Sequence, residues 1–157
     1  MSPLARLATL ATLATLATLE FLALSGIRVN DLGPLHRMIS LQTLSCGRLS
    51  SLRDLQLLSD CQNLRRLDVG FTRVESLAPL RALHALAVLD LEHMQVNDTT
   101  PLRGLRSLAS LNLSDTKVSD LSPLQDLPAL SCLGLVEAEL AEPGAIGKPA
   151  TGCRGPA

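Results

Sequence analysis

Six segments of the chain share the spacing LxxLxL and recur at an almost fixed interval: 19–24, 41–46, 64–69, 86–91, 108–113 and 130–135, with Cys46 and Val69 standing for the last leucine in two of them. Their first residues are 22, 23, 22, 22 and 22 positions apart. Leucine enrichment by chance would not keep register over such a length. The period restricts the chain to a stack of one small unit used repeatedly.

The rest of each unit repeats too. Val29, Val74, Val96 and Val118 stand ten residues after the first leucine, and Pro34, Pro79, Pro101 and Pro123 fifteen after it. Leu35, Leu80, Leu102 and Leu124 follow the prolines, and Met38, Leu83, Leu105 and Leu127 come three residues later. In LxxLxL the last two apolar residues are two apart, so they share one face of an extended strand. The segment TKVSDLSP (116–123) then bends the chain. Proline fixes φ and suits the first turn of a helix. Asp120 and Ser122 stand where a side-chain oxygen can accept an orphan N–H. PLQDLPAL (123–130) places leucines three apart, at helical or 3-10 spacing. One unit is therefore strand, bend and short helical turn, with its apolar residues aimed at one interior.

Composition agrees. Leucine fills 37 of the 157 positions, against two Phe and no Trp or Tyr. Compact cores usually lean on aromatics, which bury large areas; one aliphatic side chain used throughout fits one packing unit used throughout. Such a unit cannot stand alone. Fully burying a leucine is worth roughly 1.5–3 kcal/mol, while ordering the backbone costs about 1–2 kcal/mol for every residue. Only stacking, which lines the strands into a parallel sheet, covers both open sides of a unit.

The LxxLxL strands and the DLxPLxxL outer segment resemble the leucine-rich-repeat family, and the 22-residue length is most similar to its internalin and phosphatase-regulatory type. The resemblance covers residues 19–140. It implies an α/β solenoid with a parallel concave sheet of about six short strands and short helical or 3-10 segments on the convex side. It also implies a scaffold that binds proteins on the concave face. One departure is clear. The family places Asn eight residues after the first leucine, bonding backbone in the bend; this chain has Ile27, Leu49, Thr72, Met94, Thr116 and Ala138 there. Thr can make one such bond; at the apolar positions the backbone groups need other partners. A second departure is the unit 41–63, one residue longer and without the proline. Its leucines, in LSSLRDLQLLSDCQN (49–63), keep a helical spacing, so its outer segment is read either as an exposed insertion or as a longer helix.

The ends differ from the middle. Residues 1–18 read as a truncated repeat followed by an expansion of ATL units, expected to form a helical segment covering the first strand. Residues 141–157 carry three Pro and four Gly without periodicity and read as a disordered tail. Neither end offers a polar cap for the end leucines, so the chain is expected to be part of a longer repeat array or to be covered by partners. As it stands it is expected to be monomeric or a piece of such an array.

Several function classes are set aside. A net charge of −1 and so few aromatics give no basic or base-stacking face for nucleic acid. Arg6 and the threonines interrupt the apolar stretch 4–24, which argues against a signal peptide or a membrane span. Cys46, Cys61, Cys132 and Cys153 form no CxxC pair and have no zinc-finger spacing with histidines, so they read as buried or idle thiols in a reducing, cytoplasmic setting. No GxGxxG, P-loop, HExxH or GxSxG is present. His36, His84 and His93 fall at different places in their units. No enzyme and no cofactor is expected.

The remaining informative surface is the concave face, two, four and six residues after each first leucine. Its ends are small and neutral; its middle holds Arg66, Asp68, Asp90 and Glu92, with Asn112 on the next strand and Phe71 and His93 just beyond the strands. Neighbouring strands lie about 4.8 Å apart, so Asp68 and Asp90 are expected side by side. These seven residues are the candidate partner-binding set. Either they form an acidic spot for a basic protein partner, or Arg66 offsets the carboxylates on a solvated sheet. A calcium site is less favoured, because a hard cation wants six or more oxygens. A regulatory subunit of an enzyme such as a phosphatase, or a surface adhesin, stays open as an alternative to the plain scaffold.

Overall fold

The computed structural model describes residues 18–27, 29 and 32–138. Apart from Thr18, the expected helical segment before the first strand and the expected tail lie outside them. Six strands follow the six LxxLxL segments: β1 Phe21–Ala23, β2 Thr43–Ser45, β3 Arg66–Asp68, β4 Val88–Asp90, β5 Ser110–Asn112 and β6 Cys132–Gly134. They form one parallel sheet in sequence order. The register matches equivalent positions of each unit, so Leu22, Leu44, Leu67, Leu89, Leu111 and Leu133 run across the sheet as one row. All six are buried, and with the other leucines of each unit they make one continuous core.

The strands are three residues long, yet the hydrogen-bonded ladder runs further. The N–H one residue past each strand but the last donates to the neighbouring strand, as in Val69 to Asp90 O (3.1 Å) and Leu113 to Gly134 O (2.8 Å). Three residues past it the ladder resumes: Arg48 N–H donates to Gly70 O, Phe71 to Glu92 O, His93 to Ser114 O and Asp115 to Val136 O, all at 2.8–2.9 Å. Reaching that last rung requires a positive φ. Gly26, Arg48, Phe71, His93, Asp115 and Glu137 occupy the same place in successive units and all have φ between 54° and 72°. Only the first is glycine, the residue for which this conformation carries no Cβ penalty.

The missing Asn of the bend is replaced in two ways. Thr72 Oγ1 donates to Val69 O and Thr116 Oγ1 to Leu113 O, both at 2.7 Å. At three of the four apolar positions the backbone closes the turn itself: the N–H groups of Ile27, Leu49 and Ala138 donate to the carbonyls of Leu24, Cys46 and Leu135. Leu49 and Met94 also bury their side chains.

Every described outer segment is a 3-10 helix: Gly33–Arg37, Gln56–Leu58, Ala78–Ala82, Thr100–Leu102 and Ser122–Leu124. Proline opens four of them. The residue two before the first residue of the turn supplies a side-chain acceptor. Asp54 accepts the Gln56 N–H, Ser76 the Ala78 N–H, Asp98 the Thr100 N–H and Asp120 the Ser122 N–H. Hydrogen bonds from the Thr100 and Ser122 side chains first, and from their backbone N–H groups second, hold the Asp98 and Asp120 carboxyls below the usual carboxylate range.

Of the two readings of the second unit, the longer helix is corrected: its outer segment is a three-residue 3-10 turn. Leu52, Leu55, Leu58 and Cys61 are buried at a spacing of three, which is the 3-10 period and would rotate off one face of an α-helix. The extra residue sits in the bend before Leu52. Cys46 and Cys61 are buried free thiols. Burial first, and the nearby Asp68 and Asp60 second, push them up to about 12 and about 11. Cys132 departs from the idle-thiol expectation, because it is disulfide-bonded.

Candidate functional site

The parallel register converts sequence positions into rows across the inner sheet face. Phe21, Thr43, Arg66, Val88, Ser110 and Cys132 form one row; Ala23, Ser45, Asp68, Asp90, Asn112 and Gly134 form the next. Asp68 and Asp90 are direct partners, as are Asp90 and Asn112. From β1 to β5, all but Ala23 of these residues line a shallow groove of about 590 Å³.

The acidic row is braced by its own strand ends. Asp68 Oδ1 accepts the Gly70 N–H (3.1 Å), Asp90 Oδ1 the Glu92 N–H (2.9 Å) and Asn112 Oδ1 the Ser114 N–H (3.1 Å). Bonds also run between strands. Ser45 Oγ donates to Asp68 Oδ2 (2.8 Å), and Asn112 Nδ2 donates to Asp90 Oδ1 (3.2 Å) and Glu92 Oε2 (3.4 Å). Arg66 does not offset these carboxylates by pairing. Among the described residues the only ion pairs are His93 with Asp115 (3.7 Å) and Arg103 with Asp126 (3.8 Å). The reason is register: Arg66 lies in the row of Thr43 and Val88, one row away from the acids.

Phe71 and His93 are brought together by the left-handed position they share. Their rings stack with centroids 4.8 Å apart at 21°, and the Arg48 guanidinium carbon lies 4.5 Å from the Phe71 centroid. Asp115 continues the column beside His93. The result is a ridge, Arg48–Phe71–His93–Asp115, running across four units beyond the strand ends. Between ridge and acidic row is a trench of about 160 Å³, lined by Ser25, Gly47, Arg48, Asp68, Gly70, Phe71, Asp90 and Glu92. Its floor is low because Gly47 and Gly70 lack side chains. A Cβ on Gly47 would meet Asp68 Oδ1 at 2.8 Å.

Of the seven sequence candidates, Asp68, Phe71, Asp90 and Glu92 border the trench. His93 stacks on Phe71 from the ridge, Asn112 braces Asp90 and Glu92, and Arg66 lines only the wider groove. Arg48 and Asp115 were missed. Their signal was the alignment of one unit position with Gly26, the residue that marks a positive φ. Among the described residues no group of three or more His, Cys, Asp or Glu could hold a metal ion. No described helix is long and apolar enough to cross a membrane.

No family model and no curated protein matches the sequence. Solved structures do match. The crystal structure of an internalin C2 from Listeria monocytogenes is similar over 82% of this chain, with 29% identity and a TM-score of 0.73. A second internalin from the same bacterium matches over 76%, with 25% identity and a TM-score of 0.57. This chain spans 57% of the first structure and 42% of the second.

Proposed function

Because the chain is a leucine-rich-repeat protein, a fold that serves as a protein-interaction scaffold, we propose that it binds a protein partner on its inner sheet face without catalysing a reaction. The observation that carries this reading is the preformed surface itself. A ridge containing Phe71, 37% exposed, and Arg48 stands beside an open groove. Aromatic residues and arginine dominate the energetic centres of interfaces. The ridge is held by stacking before any partner arrives, so docking orders few side chains.

The test uses affinity capture with two kinds of variant. Val88→Arg with Ser110→Arg fills the groove, whereas Arg81→Glu changes the exposed outer 3-10 turn. Capture of a partner should fall at least tenfold with the groove pair and persist with Arg81→Glu, both variants keeping the wild-type unfolding midpoint. A partner retained by the groove pair and lost with Arg81→Glu would move binding to the outer side and sink the proposal.

A further inference from the structure

The partner's chemistry can be taken one step further, on the premise that the inner face is the binding surface. We infer that the trench between the Asp68–Asp90 row and the Arg48–Phe71–His93 ridge receives an arginine or lysine side chain from an extended segment of the partner.

The ridge gives the first reason. Gly26 shows that the bend forms with glycine at the left-handed position. Arg48, Phe71 and His93 hold the same φ at a steric cost of roughly 1–2 kcal/mol each, and for a bulky residue such a φ is a true outlier. The backbone does not call for these side chains. Stacked on one another, they form a wall that keeps its shape when the trench fills.

The opposite bank and floor give the second. The point where a Gly70 Cβ would stand is 3.6 Å from both Asp68 Oδ1 and Asp90 Oδ1, so two carboxylates converge over a floor with no side chain. Asp90 accepts both the Glu92 N–H and Asn112 Nδ2 on Oδ1. Glu92 closes the trench beside it.

Charge decides the sign. Asp68, Asp90 and Glu92 border the trench, against one cation, Arg48, that lies over the Phe71 ring. The surplus is negative, so an incoming acid is repelled and a guanidinium or ammonium is attracted. A space of about 160 Å³ suits one side-chain head, not a folded domain.

The test is amide chemical-shift titration of the full chain with two probes, acetyl-Gly-Arg-Gly-amide and acetyl-Gly-Glu-Gly-amide. The Gly70 and Glu92 amides donate to the carboxylates concerned and report directly. Expected are saturable shifts at these two amides with the arginine probe, with a Kd on the order of millimolar. Binding should be at least fivefold weaker in Asp90→Asn. That variant keeps the fold, because Asn112 fills the equivalent position with the same backbone bond. Three results would overturn the inference: no shifts, equal shifts with the glutamate probe, or equal shifts beside the exposed Asp54 and Asp126. A groove-dependent partner that is indifferent to Asp90→Asn would overturn it too while leaving the scaffold reading intact.

Discussion

At the scale of single residues, the left-handed column is where local preference yields to the repeat. Six units place a positive φ at one position, and five fill it with a residue that prefers another conformation. The ladder rung it permits, such as Phe71 N–H to Glu92 O at 2.8 Å, is the compensation. Gly26 isolates the backbone cost, since nothing lies within 4 Å of a Cβ built there. Gly26→Ala should therefore destabilise by about 1 kcal/mol through φ alone, read as a lower urea midpoint at unchanged slope. An unaltered midpoint would show that this bend relaxes freely. The six strands and their inward leucines were legible in the sequence because spacing alone decides them. The Phe71–His93 stack was not. It depends on a backbone angle and on a neighbour 22 residues away, and neither is written in the local residue pattern.

The outer turns show the same division at the scale of elements. Prolines and leucines at a spacing of three predict a helical turn, and in the second unit the same spacing over a longer run misleads. Leu52, Leu55, Leu58 and Cys61 satisfy a 3-10 period, and a longer α-helix would carry one of them off the core. Asp120 was readable as a cap from its place before Ser122-Pro123, and it does accept the Ser122 N–H. Together with the hydrogen bonds from the Thr100 and Ser122 side chains, such bonds have a pH consequence. The folded carboxyls of Asp98 and Asp120 lie below their ordinary value of 3.8. A depressed folded value means that the contribution is present above the unfolded value and is lost as pH falls through the folded one. Both side chains are solvent-exposed, so the contribution is small and screened. Asp98→Asn with Asp120→Asn keeps an acceptor but removes the titration. The urea midpoint of the double variant should fall less than that of the native chain between pH 5 and pH 2.5; parallel curves would mean these caps carry no share of acid unfolding.

At the scale of the whole molecule, each strand among the described residues contacts only the strands beside it, and the outer turns likewise meet only their neighbours. Stability is then a sum of units and of the interfaces between them. The trench belongs to no single unit: Gly47, Gly70 and Glu92 come from three, and Ser25 from a fourth. The trench therefore exists only while adjacent units stay stacked, so it is tied to the core through the row of central leucines. Leu89 is the sharpest place to test that tie. It is 1% exposed in β4, between Val88 and Asp90, and pairs with Leu67 and Leu111. Leu89→Ala removes packing on both sides and should cost about 2–5 kcal/mol. Because contacts run only between neighbours, the loss should concentrate around β4. Amide exchange should accelerate most at Val69, Leu91 and Leu113, whose N–H groups carry the ladder past the strands, and least at Leu24. Uniform acceleration along the chain would show instead that the stack opens as one unit, and that the groove is lost only when the whole molecule unfolds.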